Sequence, residues 1–179
     1  MNLIFRLLKT LLLFMIFPRR MDILGESVVS FRVWPNDLDT NLHMNNGRYM
    51  TLLDLGRLDL LLRIGAAGPA YRRKWYPVLA AVNLRFKRPL NLFQRFEIRT
   101  RIVTWDRKWV YLEQQILLKG KAVTHAYLKG AFVGPQGTVA MIDLVDLLGT
   151  KVEPPPLPPA FQSWLKAEEE MTEAGRAKT

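Results

Sequence analysis

Between Asp37 and Tyr49 the chain reads Asp-Leu-Asp-Thr-Asn-Leu-His-Met-Asn-Asn-Gly-Arg-Tyr. Carboxylate, imidazole, amide and phenol groups crowd a connection between a strand pattern and a helix pattern, where a rigid scaffold commonly carries function. A carboxylate such as Asp39 can serve as a nucleophile or as a general base on water. The start of the following helix, at Asn46, supplies unpaired backbone N–H groups and a partial positive charge that can polarise a carbonyl or hold an oxyanion. The His43 imidazole suits general-base work near neutral pH, and suits equally a structural hydrogen bond that fixes the loop. Asn45 and Asn46 are helix caps by type. Asp39 taken alone is as well suited to closing a turn.

Basic segments form a second resource: Arg72-Arg73-Lys74, Arg85-Phe86-Lys87-Arg88 and Arg107-Lys108. Arg and Lys at a pocket rim suit phosphate groups, and the alternative is a solvated face. The formal net charge of +10 biases the 179-residue chain toward anionic partners. Nucleic acid is not the expected one, since no RNP sequence, zinc finger or GXXG clamp is present. The absence of cysteine excludes a disulfide framework, a thiol nucleophile and a Cys-ligated metal. Two histidines, His43 and His125, are too few for a multi-His metal site, and no metal or cofactor is expected. His125 lies in a strand pattern and reads as satisfied packing.

The elements that must position these groups follow from periodicity. Val29, Phe31 and Val33 alternate with polar neighbours, which predicts a half-buried strand over 26–34. Residues 46–64 read as a helix with apolar positions on most sides, as a helix surrounded by protein requires, and Gly65 stops it. Strand patterns recur at about 77–88, 93–105, 109–118 and 122–133 with short connections, so antiparallel pairing is expected. One strand, one long helix and four strands predict an α+β fold: a five-stranded antiparallel sheet wrapped round one long central helix.

The ends differ in composition. Residues 1–24 hold an apolar run interrupted by Asn2, Arg6, Lys9 and Thr10 at helical spacing, ended by Pro18 and followed by Arg19 and Arg20. The run is too short and too charged for a transmembrane helix, and Phe17-Pro18-Arg19-Arg20 is no cleavage site for a secreted protein. An interfacial helix over residues 2–20, its basic residues turned toward anionic lipid, is the favoured reading; a hydrophobic arm packed on the protein's own dimer is the alternative. This places the protein in the cytoplasm, peripheral on the cytoplasmic membrane face. After a domain over 25–150, residues 151–179 begin with five prolines, read as an extended strap, then a short amphipathic helix around Phe161, Trp164 and Leu165, and a frayed end.

Asp-x-Asp-x-x-x-His-x-Asn-Asn-x-x-Tyr, from Asp37 to Tyr49, followed by Asp54-x-x-Arg57, resembles the signature of hotdog-fold thioesterases of the 4-hydroxybenzoyl-CoA type. The resemblance covers about residues 26–165. It is closer still to the member-six branch of the thioesterase superfamily, through Pro35-x-Asp37-Leu38-Asp39, Leu42-His43-Met44-Asn45-Asn46, Arg99-Thr100-Arg101, Trp105-Asp106 and Val152-Glu153-Pro154-Pro155. The resemblance implies a hotdog fold and an acyl-CoA thioesterase, with coenzyme A entering only as part of the substrate and an acyl-carrier-protein thioester as the alternative. It implies a homodimer, with a tetramer as the alternative assembly, and active sites at the subunit boundary. Asp39 then matches the catalytic carboxylate, the Asn46 N–H the oxyanion donor, and His43 joins them in the catalytic loop. Asn45, Tyr49, Arg85 and Arg88 become candidate substrate contacts, and Asp54 and Arg57 an ion pair near the dimer interface. Two departures stand out: Leu42 occupies a position where many relatives carry Gly, and Asp54 replaces the usual Glu. A non-hydrolytic acyl-CoA or lipid-binding hotdog protein, or a membrane-docked scaffold, is the competing class.

Overall fold

The structure is a computed structural model and describes residues 3–176, with side chains described to Ala174. Met1 and Asn2 of the N-terminal segment and residues 177–179 of the expected frayed end lie outside the described residues. The chain runs α1 (Leu3–Ile16), β1 (Glu26–Arg32), a 3-10 turn (Pro35–Asp37), α2 (Asn46–Arg63), α3 (Ala67–Arg72), β2 (Tyr76–Phe86), β3 (Arg95–Trp105), β4 (Val110–Leu118), β5 (Lys121–Gly134), β6 (Gly137–Val139), α4 (Met141–Leu147) and α5 (Pro159–Arg176).

Every strand pair is antiparallel, in the order β1-β3-β4-β5-β2, with β6 pairing β5. Register sets the faces. Ser27 lies opposite Thr100, Thr100 opposite Gln114 and Gln114 opposite Ala126, so these small or polar residues share one face of the sheet. α2 lies on that face, and it lies close: a Cβ added at Gly56 would come within 2.7 Å of Thr100 Oγ1 and 2.9 Å of Ile98 Cγ2. The polar groups trapped beneath the helix pair with each other. Gln114, fully buried, donates to Leu53 O at 2.9 Å and to Thr100 Oγ1 at 2.8 Å, and accepts from Arg57 Nη1 at 2.7 Å. Ser27 Oγ donates to Asp59 Oδ2 at 2.5 Å, and Arg63 closes the same carboxylate. Burial without partners would cost these groups about 1–3 kcal/mol each. Leu52, Leu53, Leu60, Ile98, Ile116 and Leu128 complete the apolar core. This helix-in-sheet arrangement is the hotdog architecture that the motif implies.

The other face of the sheet carries the C-terminal segment. Thr104 Oγ1 donates to Pro155 O at 2.5 Å, Phe161 is buried against Tyr111 and Tyr127, and Lys129 pairs with Glu168 at 2.8 Å. Beneath it, Glu113 bridges Arg101 and His125, whose Nε2 lies 2.5 Å from Glu113 Oε1.

Four features depart from the periodicity reading. The sheet gains a sixth strand, because Gly137 turns the chain back at positive φ and lets three residues pair with β5. α3 forms across Gly68-Pro69, read as loop, because Pro69 falls in the first helical turn, where its missing N–H is no loss. α4 covers a segment with no assignment. The C-terminal helix is 18 residues long rather than short.

α1 also differs from its reading. Its buried residues are Arg6 and Thr10, so Arg6 points into the domain and not toward lipid. The helix packs on α2 of its own chain, with Leu3 and Leu7 against the core, and reaches β1 through side chains. Arg6 Nη2 donates to Arg32 O at 2.8 Å, and Lys9 Nζ reaches Ser30 O at 3.4 Å.

Candidate active site

The loop between β1 and α2 is built around Asp37. Its side chain is fully buried. Arg6 pairs with both carboxylate oxygens, the Trp34 N–H donates to Oδ2 at 2.9 Å, and Arg48 donates to Oδ1 through Nε at 3.2 Å and Nη2 at 3.1 Å. Burial alone would push the Asp37 carboxyl up; these hydrogen bonds and the Arg6 charge outweigh it and hold its pKa below the ordinary carboxylate value. Asp37 O also accepts the Asn45 N–H at 2.8 Å, so the same residue ties α1, β1 and the start of α2 together.

On this anchor the loop folds back as a small hairpin. Leu38 and Met44 form an isolated bridge, and Asp39 N–H donates to His43 O at 2.9 Å. His43 bridges Asn91, and Met44 N–H donates to Leu90 O at 2.8 Å, which stitches the loop to the chain entering β3. The turn is closed by Leu42 N–H donating to Asp39 O at 3.1 Å, with Leu42 at φ +59°. The position where many relatives carry Gly therefore keeps the left-handed backbone that favours Gly, at a steric cost of about 1–2 kcal/mol for a residue with a Cβ. Leu42 itself is exposed.

Asp39 is half-buried, and its Oδ1 accepts the Asn41 N–H at 2.8 Å. Its charge acts on the Tyr49 hydroxyl, one contribution to a phenol pKa raised above the ordinary value chiefly by burial. Through the Leu38–Met44 bridge and its own N–H bond to His43 O, Asp39 lies alongside the chain that enters α2. At the helix start Asn45 is the cap: its side chain accepts the Gly47 N–H at 2.8 Å and its carbonyl the Arg48 N–H at 2.9 Å. The Asn46 N–H has no partner among the described residues. The hairpin thus brings a carboxylate and a free helix-terminal donor to one end of the sheet.

The remaining sequence candidates fall in different places. The His43 side chain is exposed. Tyr49 is buried, with its hydroxyl accepting the Leu90 N–H at 3.1 Å and its ring edge-on to Phe86 at 4.9 Å. Arg57 pairs with Asp54 and is mostly desolvated, which lowers its pKa to about 10. Arg85 and Arg88 are exposed on β2 and the turn after it. Farther along α2 lies an apolar cavity of about 260 Å³, with Asp54 and Arg57 on its wall and Leu61, Ile64, Leu112, Phe132 and Met141 around it.

Arg6, Asp37 and Arg48 form the cluster that sequence reasoning missed. One signal was available: Arg6, Lys9 and Thr10, three and four residues apart in a helix whose other residues are apolar, mark a face that needs polar partners. Nothing in the sequence says that the partner is Asp37, thirty-one positions away.

The model of the thioesterase-like superfamily matches residues 33–165. Protein THEM6 of Danio rerio is 35% identical over 158 residues, covering 88% of this chain and 78% of the relative. Among solved structures, the probable thioesterase YbaW of Escherichia coli superposes with a TM-score of 0.63 at 24% identity, over 68% of this chain and 96% of its own. A Staphylococcus aureus protein, SAV2348, solved in complex with CoA, superposes with a TM-score of 0.59 at 14% identity, over 78% and 93% of the two chains. At these identities the two structures establish the fold alone. The helix-wrapping sheet, the loop motif and the family match agree, and the chain belongs to the thioesterase-like superfamily of hotdog proteins.

Proposed function

We propose that this protein hydrolyses acyl-CoA thioesters with Asp39 as the catalytic carboxylate. The observation that carries the reading is the hairpin that sets Asp39 beside the start of α2, where the Asn46 N–H is unpaired. The thioester carbonyl oxygen sits at that N–H. Asp39 removes a proton from water, the resulting hydroxide adds to the carbonyl carbon, and the N–H together with the helix dipole holds the oxyanion. Collapse breaks the carbon–sulfur bond, and the proton passes from Asp39 to the CoA thiolate; the products are a carboxylic acid and CoA. Direct attack by Asp39 gives the same products through an anhydride that water then opens. His43 acts chiefly through its backbone carbonyl, which holds Asp39 in register.

The apolar cavity along α2 suits the acyl chain, and Arg85 and Arg88, exposed on β2, suit the CoA phosphates. The CoA complex of the structural neighbour SAV2348 supports CoA as the carrier. A homodimer completes the site. β2 is an 11-residue edge strand whose Tyr76, Val78, Leu79, Val82 and Phe86 are exposed, and such an edge invites pairing with a second copy.

The test is hydrolysis across acyl-CoAs from acetyl to palmitoyl and benzoyl. Asp39→Asn should abolish turnover while CoA esters still bind. Asn46→Pro isolates the oxyanion donor: Pro is tolerated at the first helical position and removes only the N–H. Its kcat should fall by about 10²–10³, while Asn46→Ala should retain activity. Turnover by Asp39→Asn equal to wild type would overturn the mechanism. No turnover by a folded wild type that binds CoA esters would move the protein to the non-hydrolytic class.

A further inference from the structure

α1 carries two chemically opposite faces, and the fold fixes which one points outward. Inward stand Arg6 and Thr10, both nearly inaccessible, with Leu3 and Leu7 beside them. Outward stand Ile4, Phe5, Leu8, Leu12, Met15 and Ile16, each between 55% and 76% exposed. A free amphipathic arm would turn its apolar side inward. This one cannot, because rolling the helix would pull Arg6 off Asp37 and strand a buried carboxylate. The apolar stripe is therefore a built feature of the surface, held outward by an ion pair.

The geometry points to the surface of an anionic phospholipid bilayer as the occupant of that stripe, with α1 lying flat and its outward side chains in the headgroup–acyl boundary. Three observations select this partner. The helix has 14 residues, about 21 Å of length, against a hydrocarbon core of about 30 Å, and among the described residues no helix is long and apolar enough to cross a membrane. α1 contains no acidic residue, exposed Arg19 and Arg20 follow Phe17 and Pro18 just beyond its end, Arg20 also donating to Leu62 O at 3.3 Å, and the chain carries a net charge of +10, which complements anionic headgroups. A second copy of the chain already has a distinct open edge to use in β2, on the opposite side of the sheet order from β1 and α1. The basic residue that draws the helix to lipid is thus not Arg6, as its sequence position suggests, but the pair beyond the helix. Lipid binding is read without reference to hydrolysis, so this inference and the thioesterase reading can fail separately.

The full chain should co-sediment with phosphatidylcholine vesicles containing phosphatidylserine. The double substitution Phe5→Ser, Leu12→Ser changes only exposed side chains. It should weaken vesicle binding at least about tenfold with an unchanged melting curve and an unchanged mass by light scattering. Arg19→Gln with Arg20→Gln should lower binding several-fold on the anionic vesicles and leave binding to pure phosphatidylcholine as it was. Undiminished vesicle binding by the Phe5/Leu12 variant would overturn the inference. A smaller mass for that variant without lipid would also overturn it, because the stripe would then be covered by a second copy.

Discussion

The two edges of the sheet are treated differently. The β1 edge is closed by the chain itself: α1 lies along it and Arg6 and Lys9 donate to the carbonyls of Arg32 and Ser30, two residues apart on the strand. The β2 edge is left open over 11 residues, and most of its exposed side chains are apolar, with Asn83 and Arg85 among them. Open apolar edges are a liability unless something covers them, and a helix is one of the standard covers. The contrast separates two kinds of contact. The β1 edge is protected by a polar, buried, single-geometry anchor that also sets the loop before α2. The β2 edge presents a generic strand surface that a second copy can extend.

Breaking the closed edge should have the largest effect. Arg6→Met leaves Asp37 buried with Arg48 as its remaining ion partner, and should cost about 3 kcal/mol in chemical denaturation. The same anchor sets an acid limb. Asp37 titrates lower in the folded chain than its ordinary value, so its stabilisation is complete above the unfolded pKa, about 3.9, and is lost as pH falls through the lower folded value. Wild type should therefore lose stability below about pH 4, and Arg6→Met should lose less of it over that range. An equally steep acid limb in the variant would show that Asp37 is not the group responsible.

The open edge should respond through assembly instead of folding. Val82→Lys puts a charge on the exposed strand, and should weaken self-association at least about tenfold by sedimentation while leaving the melting of the isolated subunit nearly unchanged. A dimer that survives it would place the subunit contact elsewhere. The smallest effect lies in the loop. Leu42→Gly removes the left-handed strain at φ +59°, partly offset by the entropy of Gly, and should stabilise by about 0.5–1 kcal/mol in a denaturant titration.

Much of this architecture was legible in the residues. β1, α2 and β2 to β5 begin and end within a few positions of their periodicity limits, because alternation and helical spacing are local properties. The loop motif located Asp39, Asn45 and Asn46 for the same reason: an N-cap and a turn are set by neighbours in sequence. α3, α4 and β6 were not legible, being six, seven and three residues long and held by tertiary packing. Within the loop, the two aspartates two residues apart look alike in sequence. The fold makes Asp37 a fully bonded buried anchor and leaves Asp39 half-exposed with one oxygen accepting a backbone N–H.

The amino-acid sequence by itself determined the order of the long elements, the antiparallel sheet round one helix, the family and the candidate residues of the loop before α2, all consequences of short-range pattern. Only the tertiary structure decided which way α1 faces, which aspartate is the anchor, and that one sheet edge is closed while the other stays open. Those outcomes rest on contacts such as Arg6 to Asp37, thirty-one residues apart, where burial makes a paired charge far cheaper than a stranded one. No local periodicity encodes that choice.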